Sequence, residues 1–589
     1  MSPSHSIRAK LGAGLRLFTP TTMPDSEKRE CQNCKGAFII DASDFLFYEK
    51  MKVPPPTFCP QCRLQRRLMI RNERGLYKRK CDLCGKDVIT IYAPEKPYTV
   101  YCNPCWWSEA WDPGKYGQEY DPKRNFFEQL RALSLRFPRS ALVVDYPTMV
   151  NTEYANHAGF MKNCYLLYNG DYCENTHYAT LITHNKDSLD ANMLGESELC
   201  YEVINCGKCS RVFFSEDCVN CLGVYFSKDL VGCTNCFGCI NLRNKSYFIF
   251  NKPYSKEAYE EKLKEFRLDS FAAVEHLKKE LYTFWVGHPH KFMHGRHNVN
   301  VSGDYVYESK NAQYMHKARF VEDGKFCQLI TLAPVKDVYD YTEWGQGAQR
   351  IYESITAGLG SSDIRFSYTC SRECIDIEYS MGLLSSQHMF GCVGLRNKQY
   401  CILNKQYAKE EYEKLREKII QDMNERPYID SKGRVFKYGE FFPYELSLFD
   451  YNETTAMEYY LLSKEEILER GWRWREPTPG QYKITLKLED VPDSIFDVQD
   501  SIVNEVIACS SCGRAYRIIK PELELLRRFG LPVPRKCPEC RHKERFARIN
   551  PPRLWQRQCA KCGKELQTSY APKRPEIVYC EECYQQEVI

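Results

Sequence analysis

Sixteen of the chain's 31 cysteines form eight Cys-x-x-Cys pairs, four near each end. The first set is Cys31, Cys34, Cys59, Cys62, Cys81, Cys84, Cys102 and Cys105; the second is Cys509, Cys512, Cys537, Cys540, Cys559, Cys562, Cys580 and Cys583. Every member of the second set lies 478 positions after its counterpart, and CGKDVITIYAPEKPYTVYCNPC at 84–105 aligns in that register with CGKELQTSYAPKRPEIVYCEEC at 562–583. The two ends are therefore copies of one module. Thiolates bind metal. Zn²⁺ takes four of them tetrahedrally, so two Cys-x-x-Cys turns close one structural site with no position left for water. The expectation is about four Zn²⁺ ions, two per module. Pairing the turns in sequence order and interleaving them both satisfy the spacing.

Between the second and third N-terminal pairs lie eighteen residues holding eight Lys or Arg and one Glu. If a helix starts at Cys62, then Arg63, Arg67, Arg71 and Arg74 fall within about 80° of arc. The copy retains Arg541, Arg545 and Arg548 before Asn550-Pro551 stops the helix. A one-sided Arg face pinned by metal suits phosphate contact, with base stacking from aromatics such as Tyr77 and Trp555. The expectation is a nucleic-acid-binding stripe that meets RNA or the ribosome. The competing reading has these cations facing water and offsetting the charge of four-thiolate metal sites.

CQNCKGAFIIDASDFLFYEKMKVPPPTFCPQCR at 31–63 resembles the treble-clef zinc-ribbon family: a Cys-x-x-Cys knuckle, a hairpin with an FYEK-type turn, and a Cys-Pro-x-Cys-Arg pair opening a helix. CSSCGRAYRIIKPELELLRRFGLPVPRKCPECR at 509–541 is similar but lacks FYEK. The resemblance covers about thirty residues at each end and implies zinc binding without an activity. The whole chain also resembles multi-cysteine zinc-binding proteins of small-genome uncultured bacteria. Some of these carry a CoA-transferase label, for which no acyl-transfer site is legible here.

The middle holds a second duplication at an offset of 153, where GCINLRNKSYFIFNKPYSKEAYE at 238–260 recurs as GCVGLRNKQYCILNKQYAKEEYE at 391–413. Short strand-like segments separated by Asn, Asp, Gly and Cys precede a charged helix in each copy, over 255–281 and 408–425. Their spacing suits stacked β-solenoid coils. The central Cys-x-x-Cys pairs (Cys206/Cys209, Cys218/Cys221, Cys233/Cys236) could ligate metal. Ser371 and Ser386 replace Cys218 and Cys233 in the copy, however, which favours a buried ladder of small residues. HPHKFMHGRH at 288–297 concentrates four of the twelve histidines. It reads as a linker, with metal binding as the alternative.

The expected fold is thus multidomain and mainly β, with double-zinc modules of treble-clef or zinc-ribbon type at both termini flanking two solenoid-like repeats, each ended by a helix. In order the segments are a disordered leader (1–28), the N-terminal double-zinc module (29–112), a connector (113–144), the first solenoid-like unit (145–282) and a His-rich linker (283–300). The second solenoid-like unit (301–425), an aromatic linker region (426–505) and the C-terminal double-zinc module (506–589) complete the chain. The net charge of +5 is too small for a polycation. No run of about 18 apolar residues occurs, which excludes a helical membrane span. Cysteine pairs without a signal peptide point to the reducing cytoplasm. No phosphate loop, dinucleotide fingerprint, nucleophile elbow or His-Glu-x-x-His motif is present. The functional expectation is a non-enzymatic multi-zinc protein that binds nucleic acid. A zinc-stabilised protein-interaction scaffold is the alternative. A carbohydrate enzyme using carboxylates such as those of DYCEN and GESELCYE on a solenoid face is a third reading.

Overall fold

A computed structural model describes residues 25–332, 334–477 and 482–588. The expected leader lies outside these as far as residue 24, and Glu27–Glu30 is already a β-strand.

Each terminal module is a tandem of two knuckles. In the first, the strands Glu27–Glu30 and Ala37–Ile40 pair antiparallel, and the helices Ala42–Met51 and Pro60–Leu68 follow. A second hairpin, Tyr77–Lys80 with Asp87–Thr90, leads to the short helix Asn103–Trp107. The C-terminal module repeats this order with helices Lys520–Phe529 and Pro538–Arg548. Ala42–Met51 and Lys520–Phe529 are related by the same 478-residue shift. FYEK therefore belongs to a helix that both modules possess, and its loss leaves the C-terminal hairpin (Ile507–Ala508 with Ala515–Tyr516) intact. The residue after each knuckle's second cysteine is left-handed: Gly85, Gly513 and Gly563 at φ 71–75°, and Lys35 at 58°.

The middle is two large β-sheets, spanning Met149–Pro253 and Gly295–Gln406. In the first, successive strands are parallel, with Thr180 beside Asn192, Leu189 beside Tyr201 and Leu222 beside Thr234, always twelve residues apart. The second shows shifts of 11 to 14, among them Val299–Lys310, Ile375–Gln387, Ser362–Ile375 and Val321–Val335. Along the first sheet, within strands and between them, the chain turns at every third residue: Tyr172, Asn175, Tyr178, Leu181, His184, Asp187, Asp190 and Met193 all have φ of 48–58°. A left-handed non-glycine residue costs roughly 1–2 kcal/mol. Asn and Asp bear that conformation best, which gives a reason for their recurrence here.

Each sheet ends in an antiparallel return, at Phe248–Pro253 and Cys401–Gln406, followed by the helices Lys256–Glu265 and Lys409–Glu425. The central thiols lie in the first sheet's interior with Val203, Val212 and Val224. Cys206, Cys218 and Cys221 donate to the carbonyls two residues before them at 3.3–3.4 Å.

The terminal modules cross over. The N-terminal helix Pro60–Leu68 packs on the second sheet, whereas Pro538–Arg548 packs on the first. The region 426–505 divides between them. Phe436, Phe441, Phe442, Tyr451 and Trp472 join the N-terminal module's core, and Val491, Ile495, Val498 and Ile502 join the C-terminal one.

Candidate metal centres and the buried arginine helices

The sixteen end cysteines converge in sequence order on four groups: Cys31, Cys34, Cys59, Cys62; Cys81, Cys84, Cys102, Cys105; Cys509, Cys512, Cys537, Cys540; and Cys559, Cys562, Cys580, Cys583. Within each group all sulfurs lie within 4.8 Å of one another. The knuckle-to-knuckle Sγ–Sγ distances Cys34–Cys59, Cys84–Cys102, Cys512–Cys537 and Cys562–Cys580 are each 3.8 Å. Four sulfurs at about 2.3 Å from a tetrahedral zinc would be about 3.8 Å apart, so the groups fit such an ion. Each group could hold a metal. The interleaved alternative falls because each hairpin returns its second pair to its own first pair.

Backbone donors prepare the thiolates. The N–H groups of Cys59, Cys102, Cys537 and Cys580 donate to the sulfurs of Cys31, Cys81, Cys509 and Cys559 at 3.2–3.3 Å. Burial opposes ionisation of Cys81, Cys509 and Cys559, but these N–H groups hold them at about 7, about 6 and about 6. Cys31 is drawn down further, first by hydrogen bonding with Cys59 and Cys62.

Five of the seven arginines expected to meet phosphate, Arg63, Arg67, Arg71, Arg541 and Arg545, are buried, and Arg74 and Arg548 are half-buried. Arg63 and Arg67, one turn apart, share Asp340 at 2.7 and 3.2 Å, and all three side chains are at most 1% exposed. The C-terminal copy repeats the device: Arg541 and Arg545 share Asp190 at 3.2 and 2.7 Å. Arg71 is held by Glu73 and Glu343, and Arg66 by Glu353 and Glu440. Arg74 lies over the Tyr168 ring and pairs with Glu539 of the other arginine helix at 3.1 Å, which links the two modules. Arg548 pairs with Glu216 at 3.3 Å and is about one-third exposed. The stripe is real, but carboxylates occupy Arg63, Arg67, Arg71, Arg541 and Arg545, so these five side chains do not present a phosphate-binding surface. An isolated guanidinium is too costly to bury, and a helix placing two against one sheet requires an anion there.

Sequence reasoning missed Asp340, Asp190, Glu343, Glu353 and Glu440, and also Glu522, which accepts from Arg541 at 2.8 Å. A signal existed. In the 153-residue register Asp187 matches Asp340 and Asp190 matches Glu343, so carboxylates recur at neighbouring positions of both middle copies. The acids of DYCEN and GESELCYE are engaged along the sheet, Glu174 with Lys162 and Glu198 with Ser210 twelve residues away. The histidine segment is not a free linker: Pro289–Lys291 pairs in parallel with Ile577–Tyr579 of the C-terminal module. His290 is buried with Nε2 at 3.1 Å from the Trp285 carbonyl, and burial lowers it to about 4. Burial also opposes charging of His294, but Asp304 at 2.9 Å and Asp217 at 3.5 Å raise it well above the usual imidazole range.

No protein-family model matches the chain, and no curated protein is significantly similar to it. Among solved structures, one described provisionally as an acetyltransferase, from Desulfovibrio desulfuricans G20, is 11% identical, with 57% of this chain and 84% of that chain covered. Its TM-score is 0.10. Among the described residues no helix is long and apolar enough to cross a membrane.

Proposed function

We propose that this chain is a non-enzymatic scaffold whose four cysteine groups hold structural Zn²⁺ and whose middle consists of two β-solenoid units displayed between zinc-fixed clamps. The observation that carries this reading is the repeated pairing of two helical arginines with one buried aspartate. Each arginine helix opens at a ligand pair, Cys59/Cys62 or Cys537/Cys540, so a bound metal would fix the start of the helix that docks onto the sheet. Four-thiolate sites leave no position for substrate, which argues against Lewis-acid chemistry at them. An outward ladder of stacked rings supports a display role. Phe160 and Tyr172 are nearly half exposed and stack at 4.5 Å, and His184 continues the stack at 4.6 Å. Against the nucleic-acid reading, five of the seven arginines are buried, and only Arg74 and Arg548 keep some exposure.

Elemental analysis of the purified chain is expected to find about four zinc ions per molecule. Structured RNA is expected not to bind with the steep salt dependence that several phosphate contacts impose. Iron in place of zinc would overturn the metal assignment. Salt-sensitive RNA binding that disappears in Arg74→Glu and Arg548→Glu, with zinc retained, would restore the nucleic-acid reading.

A further inference from the structure

The four knuckles that open the metal groups differ in the two residues between their cysteines: Gln32 and Asn33, Asp82 and Leu83, Ser510 and Ser511, Ala560 and Lys561. In the first knuckle both side chains are engaged by one segment, the hairpin that pairs Tyr428–Ile429 with Val435–Phe436. Gln32 clasps Val435, accepting from its N–H at 2.7 Å and donating to its carbonyl at 2.9 Å. In the copy, Ser510 and Ser511 are exposed.

Asn33 is held at both ends of its amide. Arg434 Nη1 donates to Asn33 Oδ1 at 3.0 Å, and Asn33 Nδ2 donates to Cys62 Sγ at 3.2 Å. A guanidinium has donors only, so it takes the amide oxygen and turns the amide N–H toward the sulfur. Arg434 is itself fixed, because Asp430 accepts from its backbone N–H at 2.9 Å and from its side-chain Nε. The Arg434 and Asp430 side chains are only 8% and 1% exposed. A continuous chain of contacts thus runs from Asp430 through Arg434 and Asn33 to a metal ligand. Among the described residues Asn33 is the only side-chain nitrogen bonded to a sulfur of the four groups, the other nitrogen donors being backbone N–H groups.

A hydrogen bond donated to a thiolate stabilises its charged form. It also occupies a sulfur lone pair that an incoming proton would need when the ligand leaves the ion. Outer partners that orient a metal ligand typically contribute about 10–100-fold to metal affinity.

On the reading that the cysteine groups hold zinc, we propose that Asn33 is a positioning residue that locks the first of them. Seated by Arg434 and Asp430, it fixes the Cys62 thiolate on the ion and makes this group slower to release zinc than its copy around Cys540.

The test treats the full zinc-loaded chain with excess chelator and N-ethylmaleimide together and locates the freed cysteines by peptide mass spectrometry. Cys540 is expected to react before Cys62 in the unchanged chain. Asn33→Leu removes both contacts of the amide, whereas Asn33→Asp keeps an acceptor for Arg434 and loses only the donor to sulfur. Both variants are expected to speed the Cys62 reaction by about tenfold, with Cys540 as the reference within the same molecule. Cobalt substitution adds a signature that docking of the hairpin alone does not move. Without the donor the Cys62 sulfur electrons lie higher, so part of the sulfur-to-cobalt charge-transfer band shifts to longer wavelength in both variants. A chain that purifies without zinc overturns the metal reading and this proposal with it. About four zinc ions with Cys62 and Cys540 reacting together, or with Asn33→Asp matching the unchanged chain in rate and band, overturns this proposal alone.

Discussion

Asp340→Ala removes one carboxylate from between two guanidiniums that have nowhere else to go. Arg63 keeps a 2.7 Å hydrogen bond to the Phe58 carbonyl and Arg67 keeps Thr342 Oγ1 at 3.2 Å, but neither neutral acceptor compensates the charge. Breaking one buried pair typically costs about 3–5 kcal/mol, and here a single deletion strands two cations, so about 5 kcal/mol is expected. That is comparable with the total stability of many domains. The helix Pro60–Leu68 should therefore leave the second sheet while the group Cys31, Cys34, Cys59 and Cys62 stays assembled. Hydrogen exchange at the amides of this helix measures its local opening free energy, and elemental analysis checks that the metal content equals that of the unchanged chain.

The control replaces the whole triad, with Arg63→Leu, Arg67→Leu and Asp340→Leu together. Apolar replacement of a buried ionic cluster is often neutral or stabilising, so this variant should exchange more slowly than Asp340→Ala. Buried pairs are also weakly screened, so raising the salt should change the wild-type opening energy little. A loss below about 1 kcal/mol for Asp340→Ala is the value of an exposed ion pair. It would refute the claim that this carboxylate is what seats the helix.

Two further outcomes are expected. His177 is buried and held neutral, with its pKa lowered to about 4 chiefly by desolvation. Between the ordinary 6.5 and that value the unfolded chain binds more protons, so stability is lost as pH falls through this window, by about 3 kcal/mol for this group. His177→Phe should flatten the acid limb of urea-denaturation midpoints against pH, and an unchanged slope would show the imidazole to be solvated. Lys35 occupies at φ 58° the left-handed position that glycine fills in the other three knuckles. Lys35→Gly should stabilise the first knuckle by about 0.5–1 kcal/mol, the left-handed cost less glycine's extra entropy, seen as slower zinc release to a chelator.

The cysteine groups were legible in the sequence because their chemistry is local. A Cys-x-x-Cys turn presents both sulfurs wherever it occurs, and the exact 478-residue shift identified the pairs as parts of one module. The one-sided arginine pattern was equally legible, since helical geometry alone puts Arg63 and Arg67 on one face. The direction that face points is not a local property. It depends on Asp340, some 275 residues away, and in the copy on Asp190, some 350 residues away on the other side. The left-handed residue at every third position was hidden for a different reason. Tyr, Leu and His adopt that conformation here only because each parallel strand is held by the next, and no propensity of their own announces it. The same limit applied to the matching loops of the two modules. Only packing decided that Phe449 stacks on Tyr92 in one, whereas Tyr570 in the other is buried beside His290 and His294.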